Sequence, residues 1–130
     1  MNSYPFNLEN EDSLIIVLSF VENEEVSLAL DTGASHTIID LTKLLILGYR
    51  LSDSMGKVQF ETAKGVVEAF VFKVKELTAL GLARKDLVIY SYDFLGNDVL
   101  SDIDGVLGLD FLRETDLLIS FKRFLIKLTK

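Results

Sequence analysis

A strand that runs into an aspartate and a glycine turn restricts this chain more than any other stretch of it: Leu28-Ala29-Leu30-Asp31-Thr32-Gly33-Ala34-Ser35. Val26, Leu28 and Leu30 alternate with Ser27 and Ala29, the period of a strand with one face buried. The strand delivers the Asp31 carboxylate into a turn that Gly33 makes sterically easy, because a residue without a Cβ fits a tight turn without a clash. His36-Thr37-Ile38-Ile39 reads as a second short strand, so the carboxylate is expected at the apex of a hairpin-like loop. Ala29, Ala34 and Ser35 are small enough to let another backbone approach closely. An acid on a tight loop with room for a partner is a candidate for chemistry. Alone, the same residues also describe an ordinary Asp-containing β-turn.

A second stretch lies near the C-terminal end, Asp104-Gly105-Val106-Leu107-Gly108-Leu109-Asp110-Phe111-Leu112, two apolar residues and a glycine leading into a short helix. Together with Asp31-Thr32-Gly33-Ala34-Ser35 it resembles the late signature and active-site loop of retropepsin-like aspartic proteases, the single-domain family that includes retroviral proteases. The resemblance covers roughly residues 13 to 128 by element order, with these two stretches as its specific parts. It implies a mostly-β, single-domain retropepsin-like acid protease barrel with two short helices, forming a two-fold homodimer. Residues 1–12 are then an N-terminal arm and 13–130 the protease domain. The resemblance makes Asp31 the catalytic residue and packs Val106, Leu107 and Gly108 beside its loop as a supporting motif. Thr32 would hydrogen-bond across the dimer, Gly33 would leave its backbone free for substrate, and Ala34 would line the cleft wall. Ser35 and His36 would border a subsite, where retroviral members often carry acidic residues.

Composition bounds the alternatives. At 130 residues the chain fits one domain with a real core. Thirteen basic against 20 acidic residues, a net charge of −7, disfavour a nucleic-acid surface, since such affinity comes largely from basic side chains. The basic tint of Lys122-Arg123 and Lys127 reads as a solvated strand face. There is no cysteine for disulfides or thiol chemistry. No basic-then-apolar leader opens the chain, and the longest apolar runs, such as Leu44-Leu45-Ile46-Leu47, fall far short of a membrane span. The expected location is the cytoplasm, with no membrane partner.

In chain order, Leu14 to Phe20 reads as an apolar strand buried on one or both faces. It forms a hairpin with Val26–Leu30 through the charged turn Glu22-Asn23-Glu24-Glu25. Asp40 reads as the N-cap of a helix over 41–47 that Gly48 ends. Residues 57–62 and 66–74 form the clearest hairpin, with Ala63, Lys64 and Gly65 at its tip. By position this hairpin, Thr62 to Gly65 at its end, resembles the family's flap; a plain surface hairpin is the other reading. Leu77 to Leu82 reads as a strand end and loop, with a helical turn open as an alternative. A strand over 86–92, a turn at Leu95-Gly96-Asn97-Asp98, a short helix over 109–114 and a closing hairpin of 116–121 with 124–128 complete the chain.

Amide hydrolysis by carboxylates needs two of them, one ionised to take a proton from water and one protonated to donate. Two carboxyls about 3 Å apart share one proton and titrate as a pair. This chain has one Asp-Thr-Gly, so a homodimer with both Asp31 residues on its axis is the economical solution. Alanine at 34 offers no hydroxyl to lower the carboxylate pKa, so activity is expected to reach pH ~5–6. Other chemistries fare worse. His36 is the only histidine, Ser35 and His36 would point to opposite faces of a strand, and no Lys-Ser/Thr follows Gly105 and Gly108. Asp102, Asp104 and Asp110 lack a calcium-loop spacing, Asp110 suits a helix's first turn, and Lys64 is a solvated tip residue. No metal or organic cofactor is implied. The reading is an aspartic endopeptidase acting on an extended peptide or protein. The alternative is a non-proteolytic homodimeric module for peptide binding or assembly on the same fold, and a third possibility is a monomeric β-domain with a chance motif.

Overall fold

The computed structural model describes residues 3–8, 13–62, 65–93 and 103–130. In chain order these form β1 (Ser3–Pro5), β2 (Ile16–Val21), β3 (Glu24–Leu30), β4 (Ile38–Asp40), α1 (Leu41–Ile46), β5 (Gly56–Thr62) and β6 (Gly65–Ala79). Then come β7 (Leu82–Tyr92), β8 (Gly105–Leu107), α2 (Leu109–Leu112), β9 (Asp116–Ser120) and β10 (Leu125–Thr129). A single 3-10 turn, Leu51–Asp53, follows α1. Among the described residues no helix is long and apolar enough to cross a membrane.

Alternation decides which side of each strand faces inward. β2 buries Val17, Ser19 and Val21 and exposes Ile16, Leu18 and Phe20 between them, so its apolar run faces the core on one side only. The strands follow the order β2-β3-β8-β4-β7-β6, and β6 pairs back onto β2 through Ser19↔Ala79 and Val21↔Leu77. The result is a closed six-stranded barrel, an arrangement that leaves no unpaired sheet edge among those strands. β5 extends outward from β6 as a hairpin, and β1, β10 and β9 make a separate three-stranded sheet. Phe72, Leu28, Ile39, Leu77 and Ile89 of the barrel, Leu44 of α1, Phe111 of α2 and Ile126 of β10 share one fully buried core.

Several elements differ from the sequence expectation, each for a physical reason. The Asp31 loop is not a hairpin: β8 lies between β3 and β4, parallel to the first (Leu28↔Gly105) and antiparallel to the second (Ile38↔Val106). Period-2 patterning identifies a strand but not its neighbour. Gly105 permits the insertion, since a Cβ there would collide with the Ile38 carbonyl oxygen. Leu77–Leu82 begins as the expected strand end, but a two-residue turn takes the place of the loop or helical turn. β6 runs on to Ala79 and turns through Leu80 and Gly81, both at positive φ (53° and 78°), directly into β7. Two such residues match the twist of a tight hairpin, and a leucine in the first place hides the signal, at a local cost of roughly 1–2 kcal/mol.

The N-terminal arm supplies structure of its own. β1 pairs with β10 through Tyr4↔Ile126, and Phe6 is buried, meeting Phe121 and Phe124 edge-on at 5.9 and 5.8 Å. Those two rings flank the β9–β10 turn and stay 59% and 44% exposed. α2 ends at Leu112, short of the expected Glu114; Thr115 N–H closes on the Leu112 carbonyl, and the Arg84 guanidinium takes the carbonyls of Phe111 and Arg113. Asp40 caps α1 by accepting the Lys43 N–H at 3.1 Å, and Gly48 follows the helix at φ +105°. The expected turn at 95–98, the tip residues Ala63 and Lys64, and Asp102 lie outside the described residues.

Candidate active site

Asp31 leaves β3 at the point where its parallel partner β8 ends. Its N–H donates to the Leu107 carbonyl at 3.0 Å, which fixes the aspartate to the barrel wall. The chain then turns on itself: Gly33 N–H donates to Asp31 Oδ1 at 2.9 Å and Ala34 N–H to the Asp31 carbonyl at 3.2 Å. A Cβ on Gly33 would sit 3.1 Å from that Oδ1, closer than carbon and oxygen comfortably pack. Asp31 is half-buried, whereas Thr32 and Gly33 are exposed at the apex. The carboxylate therefore sits at the base of a loop whose tip is open to a ligand or a second chain.

Behind the loop stands the second signature. Leu109 N–H donates to the Ala34 carbonyl at 2.8 Å, and a Cβ on Gly108 would fall 2.7 Å from the His36 carbonyl and 2.8 Å from that of Ala34. Only a residue without a side chain lets the two backbones meet at this distance. Asp110 completes the support. Its carboxylate accepts the buried Thr37 N–H on both oxygens at 2.9 Å, the Thr37 hydroxyl at 2.7 Å and the Phe111 N–H at 2.8 Å. The same hydroxyl accepts the Gly108 N–H at 3.1 Å. A carboxylate with several donors in a half-buried place is strongly held.

An aromatic column leads away from the loop. The His36 ring stacks on Tyr90 of β7 at 4.3 Å and 14°, and Tyr90 stacks on Phe60 of β5 at 6.2 Å and 24°. Tyr92 meets Phe60 edge-on at 6.0 Å. Ser35 lies beside the histidine, its hydroxyl 3.0 Å from Nδ1, and not on the opposite face that strand alternation predicts, because both residues precede β4 and lie in the loop. The column joins the Asp31 loop to the hairpin of β5 and β6, whose outer strand carries Phe60.

Residues 19–111 match a family model described as aspartyl protease. The chain belongs to the aspartyl protease family. Its fold is similar to the crystal structure of a retropepsin-like aspartic protease from Rickettsia conorii, with a TM-score of 0.72 and 22% identity over 98% of this chain and 91% of that one. Comparison with curated proteins gives no match.

Within this aspartyl protease chain, the structure brings Asp31, Thr32, Gly33, Ala34, Ser35 and His36 into one loop and sets Leu107 and Gly108 directly against it, while Val106 pairs with Ala29 and Ile38 of the strands on either side. Thr62 ends β5 and Gly65 begins β6, paired with each other at the hairpin's end. Reasoning from the sequence overlooked Thr37 and Asp110 as a pair. The signal was a lone threonine in an apolar strand and an acid two residues past the supporting glycine. It also overlooked Tyr90 and Phe60, which local patterning marks only as strand residues. Elsewhere, a cavity of about 470 Å³ is lined by Glu22, Tyr49, Lys73 and Lys75, none of them part of this loop. Burial and a hydrogen bond to Glu22 push the Tyr49 hydroxyl up to about 12, so it stays a neutral donor there.

Proposed function

We propose that the chain is an aspartic endopeptidase acting as a two-fold homodimer, in which the Asp31 carboxylates of the two subunits form one catalytic pair. The observation that carries this reading is the Asp31 loop itself: a half-buried carboxylate under an exposed Thr32–Gly33 tip, braced by Leu107, Gly108 and Asp110. One chain supplies one such carboxylate, and a symmetric partner supplies the other at the same place.

Two like charges side by side are costly, so the pair holds a single proton between them. The ionised member takes a proton from the attacking water as its oxygen bonds to the scissile carbonyl carbon. The protonated member gives its proton to the carbonyl oxygen. Collapse of the tetrahedral intermediate breaks the C–N bond, and a proton passes to the leaving nitrogen. The hairpin of β5 and β6 acts as the flap, excluding water and binding the backbone of an extended peptide. Mostly apolar pockets flank the cut.

Incubation of a mixed peptide library with wild-type protein and with Asp31→Asn tests the reading. Cleavage by the wild type alone, with both proteins the mass of a dimer, is the expected result. Wild-type turnover by Asp31→Asn would refute the assignment, and a dimer that cleaves nothing between about pH 4 and 7 would favour a binding or assembly module.

A further inference from the structure

We propose that His36 sets the substrate preference of the cleft, selecting a side chain with a hydrogen-bond acceptor, a carboxylate above all, at one position on each side of the scissile bond. This rests on the reading of Asp31 as half of a shared pair and deepens it.

The aromatic column from His36 through Tyr90 to Phe60 forms a wall between the two structures that would enclose a peptide, the Asp31 loop and the flap. A purely aromatic wall favours apolar side chains, and His36 makes one end of this one polar. Stacking on Tyr90 at 4.3 Å restricts the ring plane, so the direction of its nitrogens is largely fixed before substrate arrives. Nδ1 is taken up by the Ser35 hydroxyl at 3.0 Å, which leaves Nε2 to meet a ligand. With Ser35 donating to Nδ1, Nε2 carries the hydrogen; in the protonated ring both nitrogens do. Both states present a donor from Nε2, and the second adds a positive charge. Only a neutral ring with its hydrogen on Nδ1 lacks that donor. The Asp110 carboxylate behind the loop is already engaged by Thr37 and Phe111, so it does not compete for the imidazole. In a two-fold dimer His36 occurs once in each half of the cleft, and the preference therefore falls on two positions related across the cut.

The test is a peptide set in which Glu, Gln, Leu and Lys are exchanged one position at a time on both sides of a mapped cut, read as kcat/KM. The wild type is expected to favour Glu over Leu about tenfold at a symmetric pair of positions, the size of a charge-assisted hydrogen bond. His36→Phe keeps a flat ring for the stack but no donor, and its Glu-to-Leu ratio falls to one or below. His36→Asp reverses the preference towards Lys. The readout is the ratio within each protein, so a general loss of turnover does not enter, and if one variant fails to fold the wild-type profile and the other variant decide. Cleavage without an acceptor preference, or a preference that survives in His36→Phe, overturns the proposal while leaving the Asp31 reading intact. No cleavage of any peptide by the dimeric wild type overturns both.

Discussion

At Ala34 the difference between a methyl and a hydroxyl bears on the pH at which the proposed Asp31 pair would work. The backbone of Ala34 is already committed, its N–H to the Asp31 carbonyl and its carbonyl to the Leu109 N–H. Its half-buried side chain stands beside the turn that carries the carboxylate. A serine there would add a donor to the ionised form of the pair and lower its pKa. The wild type should retain activity to pH ~5–6, and Ala34→Ser should move the acid limb of the pH–rate profile downward. A wild-type optimum near pH ~3, with no downward movement in the variant, contradicts this. Ser35 and His36 are legible as neighbours of Asp31 because the loop is continuous in sequence. The partner that orients His36 is not, since Tyr90 comes from a strand far along the chain.

Among the elements, α2 and β8 are short, four and three residues, yet they hold the loop. Four residues cannot sustain a helix by backbone bonds alone, so α2 persists through the buried Phe111, the Arg84 guanidinium on its last carbonyls and the Asp110 carboxylate at its start. Asp110→Ala would leave the buried Thr37 N–H and hydroxyl without their acceptor. The expected loss is about 1–3 kcal/mol in urea denaturation, with Asp110→Asn losing less because its amide oxygen still accepts. An unchanged midpoint in Asp110→Ala would show that the pair does not brace the loop. Local signals explain why so many elements could be read in advance. β3, β5 and β10 alternate, β2 is a β-branched and apolar run, Asp40 and Gly48 bracket α1, and glycine marks the hairpin end at 65. Where pairing depends on distant residues, as for β8 between β3 and β4, nothing in a window of the sequence records it. The Leu80–Gly81 turn escaped for a different reason: the barrel enforces a left-handed leucine that local preference disfavours.

For the whole molecule, the barrel and the three-stranded sheet share one core and present one Asp31 loop per chain. Everything catalytic in the account depends on a second copy meeting the first at that loop. Subunit mixing isolates this dependence. Wild type and Asp31→Asn are combined in equal amounts at constant total protein, allowed to exchange subunits, and assayed for peptide cleavage. A shared pair predicts activity of about one quarter of the undiluted wild type, because only one dimer in about four then carries two aspartates. Activity of about one half would mean that each chain works alone, and would contradict the account.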